Sequence, residues 1–183
     1  FESALTVARE LNDAKSIGSA LNALCLFDLN QRELERAERR INEAISFLSA
    51  AGDAFELSVG FANLGEVALA QGDLARASGA YQDALTHARS SDVTWLLANA
   101  LVGFAAIAAR RGDVELAAQL LGAIDAVRSE SQHLKVPSYV LHTETARQVR
   151  AAMSESSFLQ AWQAGQALKR EEILERIQHT PLQ

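Results

Sequence analysis

The feature that most constrains this chain is a recurrence. Ala37, Ala77 and Ala117 stand forty positions apart. Phe1, Ile41, Tyr81 and Leu121 keep the same interval, and so do Leu24, Leu64 and Phe104, and Leu34, Leu74 and Val114. Small residues return where small residues stood, and large apolar ones where large ones stood. Between them the apolar positions fall three and four apart, the spacing of one face of a helix. A short helical unit cannot bury that face alone, so units at a fixed interval stack on their neighbours.

The unit is most legible in Leu57 to Arg89, which reads as two amphipathic helices joined at Gly72-Asp73. It contains Phe61-x-x-Leu64-Gly65-x-x-Ala68, then Ala77-x-x-x-Tyr81-x-x-Ala84. Gly65 allows a close approach of the first helix to its neighbour. Ala77 and Ala84 share one face of the second helix and let it nest against the first. Phe61, Leu64 and Tyr81 fill the space between them. Gly72 suits the left-handed residue that ends a helix, and Asp73 the N-cap of the next. This order resembles the tetratricopeptide repeat, with Phe61 where Trp is usual and Arg89 where Pro is usual. The interval of forty exceeds the ~34 of that class, and the extra residues lengthen both helices. The resemblance implies an all-α fold, a right-handed solenoid of antiparallel helix pairs.

Residues 1–128 are expected to be repeats. Residues 1–13 are the second helix of a truncated unit, Phe1 to Asn12, because Phe1 is in register with Ile41 and Tyr81. On that register the chain opens inside a repeat and is expected to be a fragment of a longer protein. Full units follow at 14–52, 53–91 and 92–128. Their helices are Ala14–Asn30, Leu34–Ala50, Ala54–Gln71, Leu74–Ser90, Val93–Arg111 and Val114–Arg128, capped at Asp13, Asp53, Asp73, Asp92 and Asp113. The turn Asn30-Gln31-Arg32-Glu33 lacks Gly-Asp and is expected to be looser. Ile124 replaces the Ala of earlier units, so the surface behind the last repeat differs. Residues 129–137 form a loop ending at Pro137, where the register fails. Residues 138–178 supply closing helices: Tyr139–Met153 capped by Ser138, Glu155–Leu168 capped by Ser154, and Arg170–Gln178. Their inward positions are Val140, Leu141, Val149, Met153, Phe158, Leu159, Trp162, Leu168, Ile173, Leu174 and Ile177. Residues 179–183 are a tail.

Chemistry is sparse. Gly-x-x-x-x-Gly-Lys is absent, so no P-loop nucleotide site lies here. His87, His133, His142 and His179 have no metal-ligand spacing and are assigned surface or capping roles. No Ser-centred elbow is present, acidic residues are assigned to outer faces and caps, and no cofactor is implied. The lone Cys25 replaces Gly65 in register and reads as a small buried residue; it fits a reducing, cytoplasmic compartment. The mixed run Arg32 to Arg40 reads as a solvated face with pairs such as Glu35 to Arg39. Trp95 is placed near a junction between repeats. A formal charge of −6 argues against direct nucleic-acid binding, and no apolar run approaches the ~20 residues of a membrane span. The chain is expected not to be an enzyme.

What remains is a groove. Counting along the first helices puts Asn22, Leu26, Ala62, Glu66, Leu69, Val102, Ala106 and Arg110 on the concave side. That lining is small, mildly apolar and sparsely charged. It suits a protein or peptide partner, or other domains of the same parent chain; a homo-oligomer is also open.

Two further stretches narrow the reading. One is Leu116-Ala117-Ala118-Gln119-Leu120-Leu121-Gly122-Ala123, and the other Phe158-x-x-x-Trp162-x-x-Gly165-x-x-Leu168-x-x-Glu171-Glu172. Their order, with a Pro-containing loop between, resembles the C-terminal part of bacterial signalling ATPases related to the AfsR, MalT and LuxR-type regulators. Pro137 stands alone where such relatives often carry a Pro pair. The resemblance implies a multidomain parent in which the repeats act as a non-catalytic sensor or partner-binding arm. The alternative is a self-contained adaptor that binds a peptide or helix in its groove.

Overall fold

A computed structural model describes residues 1–89, 94–130 and 139–178. All regular structure among these residues is helical: α1 (Glu2–Glu10), α2 (Ala14–Asn30), α3 (Leu34–Ala51), α4 (Ala54–Gln71), α5 (Leu74–Arg89), α6 (Thr94–Arg110), α7 (Val114–Glu130), α8 (Tyr139–Ala152), α9 (Glu155–Gln166) and α10 (Arg170–Gln178). The expected caps at Asp92 and Ser138, the 131–137 part of the loop, His133 and residues 179–183 lie outside the described residues. Ser129 and Glu130, read as loop, continue α7.

One turn is used again and again. Backbone φ is positive at Asn12, Arg32, Gly52 and Gly72, twenty residues apart, and again at Gly112. The residue after each donates its backbone N–H five residues back: Asp13 to Ala8 at 3.0 Å, Glu33 to Asp28 at 2.9 Å, Asp53 to Leu48 at 3.2 Å, Asp73 to Ala68 at 3.0 Å and Asp113 to Ala108 at 3.0 Å. This left-handed close satisfies a carbonyl the helix leaves open. The same residue then starts the next helix. The carboxylates of Asp13, Asp53, Asp73 and Asp113 accept from the N–H three residues on, at 3.3, 3.0, 2.9 and 3.1 Å. The turn at Arg32-Glu33 is therefore not looser, as its sequence leads one to expect. Arg32 takes the left-handed conformation with φ 62, and only the side-chain cap is missing at Glu33. Packing of α2 on α3 imposes the turn although no glycine is there to accept it.

The chain forms two compact units, Phe1–Leu96 and Leu97–Gln183. In the first, α2 packs on α3 and α4 on α5, while α3 meets α4 and α1 meets α2. Ala37, Ala77, Ala84, Ile41 and Tyr81 are all buried. A Cβ on Gly65 would lie 2.7 Å from the Tyr81 ring, and one on Gly18 would lie 2.5 Å from Leu48. Bulk on the second helix of a pair is thus matched by its absence on the first. Phe61 and Leu64 are half-buried; Phe61 stacks on His87 at 5.4 Å with the rings 5° apart. Trp95 meets Phe55 edge-on at 5.4 Å.

In the second unit every residue of α6 from Leu97 to Ala109 is buried, Asn99 being the polar side chain among them. Ala117 and Ile124 of α7 are buried as well. Helix α7 packs on α9, and α8 touches both. Val149 of α8, Phe158, Ala161 and Gly165 of α9, and Ile173 and Ile177 of α10 are buried. Val140 and Leu159, read as inward, are exposed. The buried faces of α8 and α9 run through Thr145-Val149 and Phe158-Ala161-Gly165, and one residue of helix turns a side chain by about 100° away from them.

Candidate interaction site

The eight residues read as a groove lining do not form one continuous open surface. Asn22, Ala62, Leu69, Val102 and Ala106 are buried, Leu26 and Glu66 half-buried, and only Arg110, at the end of α6, is exposed. First helices α2 and α4 touch one another, so the positions on those two helices lie close to a neighbouring helix. Asn22 shows this: its Nδ2 lies 3.4 Å from both the backbone oxygen and the Oε2 of Glu56, and its Oδ1 accepts from Asn63 Nδ2 at 3.2 Å. The two amides tie helix to helix.

The run Arg32 to Arg40 contains what residue patterns missed. Asp28 of α2 has a side chain with no exposure, although acidic residues are read as surface or capping. Arg36 reaches its Oδ1 through Nε at 2.8 Å and Nη2 at 2.7 Å, and Arg40 its Oδ2 through Nη1 at 2.9 Å. Arg40 also pairs with Glu2. Two cations of a run read as solvated thus fold back over a buried carboxylate, which would be costly left alone. Both carboxylate oxygens are engaged, so the cluster anchors α1, α2 and α3. A signal was present: Asp28 stands forty residues before Ala68, in register with a small apolar position.

Beside the cluster opens a cavity of about 320 Å³ lined by Phe1, Glu2, Leu24, Phe27, Asp28, Arg36 and Arg40. Phe1 and Phe27 are exposed at 75% and 55%. Nearby, Cys25 is buried, and burial, with the charges of Glu66 and Asp28, pushes its thiol up to about 12. That environment suppresses the thiolate on which cysteine reactivity depends.

Polar ties link other helices. Glu38 of α3 accepts from Gln71 Nε2 at 2.7 Å and pairs with Arg76; these contacts, the amide first, hold its carboxyl below the ordinary range. Asp53 is likewise lowered, first by the backbone N–H of Glu56 and then by Lys15 at 2.8 Å.

In the second unit, a Cβ on Gly122 would lie 2.0 Å from the Trp162 carbonyl oxygen, and one on Gly165 1.9 Å from that of Gln119. Two stretches chosen from sequence, one on α7 and one on α9, are the two sides of a single backbone-to-backbone contact. Asp125 accepts from Trp162 Nε1 at 3.1 Å, with His142 Nε2 3.6 Å from its other oxygen. His87 and His142 thus lie in helix contacts rather than on an open surface. A second cavity of about 290 Å³, lined by Glu115, Gln119, Met153, Ser157, Gln160, Ala161 and Ala164, opens beside this contact. Among the described residues no three His, Cys, Asp or Glu side chains are grouped to hold a metal. No helix among them is long and apolar enough to cross a membrane.

No protein-family model, no curated protein and no solved structure matches the chain.

Proposed function

We propose that this chain is a tetratricopeptide-like interaction and sensor segment of a larger signalling ATPase or transcriptional regulator of the AfsR, MalT and LuxR-type kind. It performs no reaction of its own. It binds a protein or peptide partner, or the parent's own domains. One observation carries the reading: the same two-residue turn returns at residues 12, 32, 52, 72 and 112, with buried small side chains every forty. Such a chain presents helix surface repeatedly, and no three potential metal ligands are grouped among its described residues. The contact of Gly122 with Gly165 adds support, because it gives one physical role to both stretches that resemble that family.

A segment of this kind regulates only if its partner binds the two states of the parent unequally. The test is the intact coding sequence and the protein it encodes. A nucleotide-binding motif upstream, and ATP turnover that changes when residues 1–183 are deleted, are the expected results. A reading frame encoding repeats alone would remove the regulatory reading and leave the self-contained adaptor. Turnover by the isolated segment, abolished by one conservative substitution, would overturn both.

A further inference from the structure

The helix pairs are close copies of one another in their apolar positions, but the contact between α2 and α4 is polar at its centre. Asn22 of α2 is 4% exposed and Asn63 of α4 2%. Asn63 Nδ2 donates to Asn22 Oδ1, and Asn22 Nδ2 faces both the backbone and the carboxylate oxygen of Glu56. Gly60 leaves room for the amide: a Cβ there would lie 3.5 Å from Asn22 Oδ1 and 3.3 Å from Ile45. Helix α4 thus receives Asn22 on Glu56, Gly60 and Asn63, residues four and three apart on one face. Forty residues on, the same positions carry different chemistry. Ala62 stands at the position of Asn22, and Leu96, Ala100 and Gly103 at those of Glu56, Gly60 and Asn63. All four are buried, and none has a side-chain donor or acceptor. Asn99 stands one residue before Ala100, a turn of about 100° away from that face.

We infer that the Asn22–Asn63 pair selects α4 as the neighbour of α2 and rejects the corresponding face of α6. Apolar spacing alone does not separate the two, because the small and large apolar residues recur in all units. The amides do. Asn22 set against Leu96, Ala100 and Gly103 would be buried with nothing opposite to bond, and Asn63 would lose its acceptor at the same time. A buried polar group left without a partner carries its full desolvation cost. A pair α2–α3 that closed on α6–α7 would shut out α4–α5 within one molecule, or join two molecules together; repeat chains misassemble in this way. A polar pair inside an apolar interface fixes register rather than adding strength. The inference concerns how the units find their order, and it goes beyond what the segment binds.

The test replaces the pair, in the 183-residue chain, with the residues that the next unit carries at those positions: Asn22→Ala together with Asn63→Gly. Ala62 and Gly103 are buried where they stand, so the far-ultraviolet spectrum is expected to be unchanged. Refolded from urea, the unaltered chain is expected to give one monomer with one set of backbone amide peaks. The double variant is expected to give a second set in α2 and α4 with about a tenth or more of the intensity, or dimers and larger species that light scattering shows increasing with the concentration at refolding. A single monomeric species with one set of peaks would overturn the inference. If the added glycine unfolds α4, Asn22→Ala with Asn63→Ala replaces it, read by the same two outcomes. Ala77→Leu serves as the control, since it disturbs a buried position away from the amides. It is expected to keep one set of peaks; the same second set in Ala77→Leu would assign the heterogeneity to lost stability and remove the inference.

Discussion

Ala77 of α5 is one of the small residues that return every forty positions. Its side chain is fully buried, and leucine there adds three carbons to a space already filled. Ala77→Leu is expected to lower stability by about 1–3 kcal/mol in urea unfolding; an unchanged midpoint would show that the position tolerates bulk. Asp28 is a different case, because its partners are cations. Asp28→Ala leaves Arg36 and Arg40 without their shared acceptor. Arg36 remains partly solvated, so the expected loss is about 1–3 kcal/mol. Alanines such as Ala77 can be picked out because a small residue at a repeating position has one physical meaning. Asp28 could not be assigned in the same way, since the side chains that neutralise it come from the next helix.

At the scale of elements, the turns and the glycine contact make separate predictions. Arg32 holds a left-handed conformation that Gly52, Gly72 and Gly112 hold without a Cβ. Arg32→Gly is therefore expected to raise stability by about 0.5–1 kcal/mol, the relieved strain exceeding the added freedom of the unfolded chain. A drop on urea unfolding would mean that the arginine side chain contributes more than its backbone costs. Gly122→Ala and Gly165→Ala are expected to force α7 and α9 apart, because each Cβ would meet a backbone carbonyl rather than a flexible side-chain end. A loss of about 3 kcal/mol is expected for each, with the near-ultraviolet signal of Trp162 altered. Helix positions were legible from capping residues and apolar spacing: the bounds of α2, α4 and α10 agree with the sequence to the residue. The regular turn at Arg32 was not legible, because no local preference asks for it.

For the whole molecule, acid stability is the accessible quantity. Glu38 and Asp53 are both held below their ordinary values of 4.5 and 3.8. A carboxyl lowered by folding contributes stability above its ordinary value, and that contribution is lost as pH falls through the lowered one. The urea midpoint is therefore expected to hold from pH 7 to about 5 and to fall below it. Glu38→Gln is expected to lower the plateau and make the decline shallower. A decline of equal steepness in the variant would show that Glu38 takes no part. The polar ties concerned join α3 to α4 and α5, and α2 to the start of α4, so acid weakens the packing between successive pairs.

The amino-acid sequence by itself determined the helices, most of their ends and which small residues are buried, because these depend on short-range spacing that every unit repeats. It also marked the two stretches around Gly122 and Gly165 without saying that they meet. Tertiary structure alone decided which polar groups are interior. Asp28 is buried, and five of the eight residues counted toward a groove are covered, because stacking one helix on the next changes exposure without changing periodicity.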